Sequence, residues 1–247
     1  MLGPPNSGLD HNLSASIRLD QTPPDYTVLQ IDTISSSSVV LYYETLPGNK
    51  PNNNHNMLLV AQGTRVPAGA GDVSLYPIEL NDADGYQTIS NLDIASGPYV
   101  LGYTVGPTSD TVAAAIVLYI DGKSSPPFST TIGLVAANSN SVVLNYRTPY
   151  NYRPESYGNW VGLFRGGDAP FIRPGAPDRT VSVTGDAPEG ELAFNGLTLV
   201  RGQPYTLVYY TGPNSTEAAC ALTFTILSSG QEDAPDADDC NCAIPAK

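Results

Sequence analysis

Ser38-Val39-Val40-Leu41-Tyr42-Tyr43-Glu44-Thr45 returns as Ser141-Val142-Val143-Leu144-Asn145-Tyr146-Arg147-Thr148, 103 residues further along the chain. A second block, Pro98-Tyr99-Val100-Leu101 with Gly106-Pro107, recurs as Pro204-Tyr205-Thr206-Leu207 with Gly212-Pro213 at an offset of 106. A period of about one hundred residues is too long for a solenoid unit and marks a duplicated domain. Within each block apolar and polar residues alternate, which is the period of a half-buried strand. The two copies calibrate each other. Asn145 stands where the first copy has Tyr42, so that face is wet, and Val39, Leu41 and Tyr43 with Val142, Leu144 and Tyr146 are expected to point inward.

Outward from these blocks the pattern is short strands between turns, at 28–33, 39–45, 57–62, 73–76, 86–94, 99–105 and 112–120. The second copy follows at 130–136, 142–148, 159–165, 179–183, 191–199, 205–211 and 218–227. No window holds a helical period for long, and 23 glycines with 22 prolines supply the turns. About seven strands per hundred residues predicts an all-β chain of two tandem antiparallel sandwiches. The expected organisation is an amino-terminal arm at 1–24, a first sandwich at 25–121, a linker at 122–127, a second sandwich at 128–228 and an acidic tail at 229–247. Ala114, Ile116, Leu118 and Ile120 match Cys220, Leu222, Phe224 and Ile226, and are expected to form the layer facing the first blocks.

Leu199-Val200-Arg201-Gly202-Gln203-Pro204-Tyr205-Thr206-Leu207-Val208-Tyr209 resembles the run that enters strand F of fibronectin-III-like and immunoglobulin-like domains. That resemblance implies a tyrosine corner at Tyr205, with its hydroxyl bonded to nearby backbone. The first copy is one residue shorter before Tyr99. Asn159-Trp160-Val161-Gly162-Leu163-Phe164 is similar to a strand of SKICH-type domains and of the sandwich preceding purple acid phosphatase catalytic domains. This second likeness covers only the second copy and implies fold, not chemistry.

Charge narrows the partners. With 24 acidic and 11 basic residues the net charge is −13, and the lysines are Lys50, Lys123 and Lys247. Nucleic acid or an anionic surface would be repelled, and no basic cluster offsets this. The first eight residues have neither a basic n-region nor an apolar h-region, and nothing approaches the ~20 apolar residues of a membrane span. A soluble chain without a Sec signal is expected, cytoplasmic or exported by another route. Cys220 falls on the apolar side of its strand and reads as a small buried hydrophobe. Cys240 and Cys242 are read as free thiols first, an intermolecular disulfide second and a soft-metal site third.

Chemistry is sparse. His11 and His55 are the two histidines, one in the arm and one in an Asn-rich loop, and neither is set up for a triad or a metal site. Glu189 and Glu191 read as a solvated turn rather than a glycosidase pair. Asn81-Asp82-Ala83-Asp84-Gly85 fails the EF-hand pattern at Leu80 and Asn91, which leaves a turn or a weak calcium site at Asp82 and Asp84. No enzyme activity and no cofactor is expected.

Two elements point to interaction. The loop 149–158 carries Tyr150, Tyr152, Arg153 and Tyr157, the composition of a contact surface, and the alternative is that these rings pack on the other copy. The arm alternates Leu13, Ala15, Ile17 and Leu19 with polar residues, as a strand that adds to a sheet edge would. The resulting expectation is a non-catalytic structural or interaction protein. It would assemble with itself or another protein through arm, sheet edges and tyrosine loop; a lectin-like carbohydrate-binding protein is the alternative.

Overall fold

The computed structural model describes residues 16–20, 25–69, 71–167, 171 and 175–227. These residues form seventeen strands in four antiparallel sheets. The first copy supplies β3 (Val28–Ile34), β4 (Ser38–Glu44) and β7 (Asp84–Ser90) to a three-stranded sheet of order β3-β4-β7. Against it lies a five-stranded sheet made of β5 (Met57–Gln62), β6 (Val73–Pro77), β8 (Tyr99–Thr104), β9 (Val112–Leu118) and β10 (Phe128–Ser129), ordered β10-β9-β8-β5-β6. The second copy repeats this. β11 (Thr131–Ala137), β12 (Ser141–Arg147) and β15 (Glu189–Asn195) make the small sheet. β13 (Trp160–Arg165), β14 (Arg179–Ser182), β16 (Pro204–Tyr210) and β17 (Ala218–Ile226) make the large one, joined by β1 (Ile17–Leu19) and β2 (Asp25–Tyr26).

Each small sheet shares one core with its large sheet, an arrangement compatible with sandwich packing. In the first copy Leu29, Val39, Leu41, Tyr43 and Ile89 meet Leu58, Val60, Leu101, Tyr103, Ile116 and Leu118. In the second, Val142, Leu144, Tyr146 and Phe194 meet Val161, Leu207, Tyr209, Cys220, Leu222 and Phe224. The inward set read from the repeated blocks is therefore the observed one. Tyr43 and Tyr146 lie over Gly85 and Gly190, where an added Cβ would stand 2.9 and 2.8 Å from the tyrosine oxygen. Both glycines are needed for close approach.

Some boundaries differ from the expectation. Ile120 is 58 % exposed because β9 ends at Leu118, and the chain turns through Asp121 and Gly122. The strand expected at 86–94 stops at Ser90, and Ile94 reaches the core from a single 3-10 turn. Asp84 and Gly85 are strand residues opposite Glu44 and Tyr43, not a turn. Glu189 and Glu191 likewise sit on β15, opposite Arg147 and Asn145, not in a turn.

One edge of each large sheet is closed reciprocally, while β6 and β14 form the opposite edges. β10, which leads into the second copy, pairs with β9 of the first through Phe128↔Ala115 and Ser129↔Ala114. β2, which leads into the first copy, pairs with β17 of the second through Asp25↔Ala221 and Tyr26↔Cys220. The Thr27 N–H then donates to Ala219 O at 3.0 Å, and the Thr130 N–H to Ala113 O at 2.7 Å. The arm extends the same edge: Ile17, Arg18 and Leu19 pair with Ile226, Thr225 and Phe224. It thus does for β17 what the linker does for β9, where Ser124 bridges Leu118 and the Ser125 N–H donates to Val117 O. The edge it fills belongs to the second copy of its own chain. Leu13, Ala15, the tail and Cys240 and Cys242 lie outside the described residues. Among the described residues, no helix is long and apolar enough to cross a membrane.

Leu144 is fully buried between the sheets, so Leu144→Ala is expected to cost about 2–5 kcal/mol. Urea unfolding checks this, and a midpoint equal to wild type would mean that β12 faces the other way.

Candidate functional site

The loop 149–158 is held by a tight turn at each end. Asn151 adopts φ 71° and Gly158 φ 70°, and the Tyr157 and Asn159 N–H groups return to Arg153 O and Pro154 O. This turn throws Tyr152 onto the first copy, on the outer face of the five-stranded sheet, among Leu59, Ala61, Val66, Val100, Val112 and Ala115. Tyr152 is 1 % exposed. Its hydroxyl lies 2.5 Å from Asp110 O in the first copy and 2.6 Å from Thr211 O in the second, and it accepts from Asn159 Nδ2 at 3.2 Å. Burial pushes the Tyr152 phenol far above its usual range, so it stays a neutral donor. Tyr157 packs beside it, ring centroids 5.0 Å apart, and its hydroxyl accepts from the Gly69 backbone. Asn151 Nδ2 donates to Val66 O at 2.8 Å.

Arg153 is committed within its own copy. Its Nε and Nη2 donate to Asp186 Oδ2 at 3.2 and 3.0 Å, while the Ser156 N–H and Oγ hold the same carboxylate at 2.8 and 2.7 Å. The Ser156 bonds first, then Arg153, keep the Asp186 carboxyl below its ordinary range. Tyr150 differs from its neighbours: it is 63 % exposed, with the Arg65 guanidinium 5.1 Å above its ring. Of the four loop residues expected to form a contact surface, Tyr152 and Tyr157 join the copies, Arg153 braces the loop and Tyr150 faces solvent.

Behind the loop lies a polar layer common to both copies. Tyr103 Oη donates to Asn56 Oδ1 and Tyr209 Oη to Asn159 Oδ1, both at 3.0 Å. Tyr43 and Tyr146 lie against these rings at 5.4 and 5.7 Å. At the seam, Thr211 Oγ1 donates to Thr111 O at 3.2 Å. The buried carboxylate of Glu217 takes both the N–H and the Nδ2 of Asn214 at 2.7 Å.

A second surface was not singled out from the sequence. On the outer face of β3-β4-β7, Gln30, Tyr42 and Tyr86 form one cross-strand row, and Val28, Glu44 and Asp84 form the next. The two rings stand 5.2 Å apart with Tyr86 62 % exposed. Partial burial, then the Glu44 and Asp84 carboxylates, raise the Tyr42 phenol, which marks a negative patch. The signal available was the Tyr42/Asn145 comparison, which placed an aromatic ring on a wet face.

Among the described residues, no three His, Cys, Asp or Glu side chains converge as a metal site. Cys220 is a buried free thiol whose pKa is pushed up by burial. No protein-family model matches this chain, and no curated protein matches it.

Tyr152→Phe would remove the one hydroxyl hydrogen that the Asp110 and Thr211 carbonyls share and leave Asn159 Nδ2 short of a partner, so a loss of about 1–3 kcal/mol is expected. Tyr150→Phe is expected to stay within about 0.5 kcal/mol. Melting of the two variants side by side checks the order, and equal losses would contradict the seam described above.

Proposed function

We propose that this is a non-catalytic interaction protein built of two tandem immunoglobulin/fibronectin-III-like sandwiches, 25–121 and 128–228, that binds neutral carbohydrate on the outer face of β3-β4-β7. The two-sandwich reading is supported by the paired cores and by Tyr205, whose hydroxyl accepts from the Val200 N–H at 2.8 Å. The non-catalytic reading is supported by the placement of the candidate groups: Glu189 and Glu191 face outward beside Arg147, and His55 sits in a turn.

The observation that carries the ligand is the Tyr42/Tyr86 pair, in which Tyr86 is exposed and Tyr42 partly buried. Ring faces supply apolar stacking area at low entropic cost, and the flanking Gln30, Glu44, Asp84 and Thr88 side chains offer hydrogen-bonding groups for hydroxyls. Asp32, Glu44 and Asp84 give the three strands a negative charge with no lysine or arginine on them. Charged residues are depleted at protein–protein cores, which disfavours a second protein here, and like charge disfavours an acidic glycan. Binding of neutral oligosaccharides on an array is expected, with Tyr86→Ala weakening it about two- to tenfold, the worth of one aromatic contact, at unchanged melting. No neutral glycan bound, or full binding retained by Tyr86→Ala, would overturn this reading.

Self-assembly is the second reading, favoured by the reciprocal edge closure. Every backbone bond that joins β2 to β17 and β10 to β9 within one chain can be made between two chains, with 119–127 as the hinge. This is the geometry of a closed domain-swapped dimer rather than an open filament. Light scattering of protein refolded at high concentration is expected to show a dimer. A strictly monomeric product would remove this reading.

A further inference from the structure

The two copies cover the outer faces of their large sheets differently. On the second, Trp160 stacks on Tyr210 at 3.9 Å and 8°, and Phe164 and Phe171 pack beside them over Val208 and Ala221. Two equivalent positions in the first copy are small, since Phe164 corresponds to Ala61 and Tyr210 to Thr104, while Trp160 corresponds to Met57. The polar pair Thr206–Thr223, 3.0 Å apart, corresponds to Val100 and Val117. Tyr152 and Tyr157 fill part of the space this leaves. The rest is a cleft of about 230 Å³ at the seam between the copies.

Its floor is Val100, Ala115 and Val117, and its walls are Val66, Phe128 and Pro149. An apolar cavity of about 150 Å³ is large enough to hold benzene, so this cleft has room for one aromatic ring and a short chain. Polar groups gather at one side, where Arg65 and Tyr150 line the mouth with Thr64. Ser125 is already used, since its Oγ accepts from the Val117 N–H and donates to Pro126 O. Arg65 makes no ion pair or hydrogen bond among the described residues, although the chain carries 24 acidic residues. It is held in place over the Tyr150 ring.

We infer that this cleft binds a small aromatic carboxylate, its ring on the Val100–Ala115–Val117 floor and its carboxylate on the Arg65 guanidinium. A guanidinium fork suits a carboxylate and forms a charge-assisted bond stronger than a neutral one. An apolar pocket with few convergent polar groups is the usual form of a small-molecule site. Because both copies and the linker line it, an occupant would bridge the seam. The inference is independent of the sugar-binding face, which lies on the other sheet.

The test is calorimetric titration of the full chain with 3-phenylpropionate and with its neutral amide. The acid is expected to bind, with the amide and the Arg65→Gln variant each about tenfold weaker, the fold-change of one charge-assisted hydrogen bond. Val117→Phe, which fills the floor, is expected to abolish binding. No heat with the acid at millimolar concentration, equal affinity for acid and amide, or wild-type affinity in Arg65→Gln would each overturn the inference. The last two measurements stand even where Val117→Phe fails to fold.

Discussion

The structure depends on satisfying the free edges of β9 and β17. A strand with one unpaired edge exposes a row of N–H and C=O groups that must find partners in protein or water. In each large sheet the last strand is flanked by β8 or β16 on one side only. Its other edge is closed by a segment leading into the other copy. The copies are therefore joined by main-chain hydrogen bonds as well as by side chains. Ala219 of β17 even belongs to the core of the first copy.

This closure explains the fate of the tyrosine loop. Once β10 and β2 cross over, the outer face of the five-stranded sheet lies beside the second copy, and its apolar floor needs cover. Tyr152 provides cover, and its hydroxyl sits between two carbonyls, one on each side of the seam, with one hydrogen to share between them. The first-copy equivalent, Asn49, instead donates to Thr45 Oγ1 and Asn56 Oδ1 within its own loop, while Leu46 of that loop packs on Val208, Tyr210, Ala218 and Ala221 of the second copy. The same loop position thus carries an interface residue in one copy, Tyr152, and a local brace in the other, Asn49. The small residues of the first copy leave the cleft at Arg65; the aromatics of the second fill theirs.

The surfaces left open are those the closure does not use. The outer face of the first small sheet carries the exposed ring of Tyr86, whereas on that of the second Arg147 lies over Phe128 of β10. The negative charge of the first, with no cation on the same strands, separates it from the mixed-charge face of the second, where Arg147 reaches toward Glu189 at 3.7 Å. An exposed pair of that kind is weak in energy.

What the sequence determined by itself was local and periodic. The alternation in Val39-Val40-Leu41-Tyr42-Tyr43 set the strand and its inward face, and repetition at Val142 fixed the register twice. Cys220 and Tyr205 were legible because their neighbours imposed burial or a turn. The partner of each edge was decided only by tertiary structure. Backbone groups are chemically alike at every residue, so nothing in Asp25-Tyr26 or Phe128-Ser129 names β17 or β9 as its neighbour. For the same reason Tyr152 and Tyr150, alike in composition and two residues apart, became a buried seam and an exposed rim. Which ring is covered depends on where the other copy comes to lie, and that is a property of the closed assembly rather than of the loop.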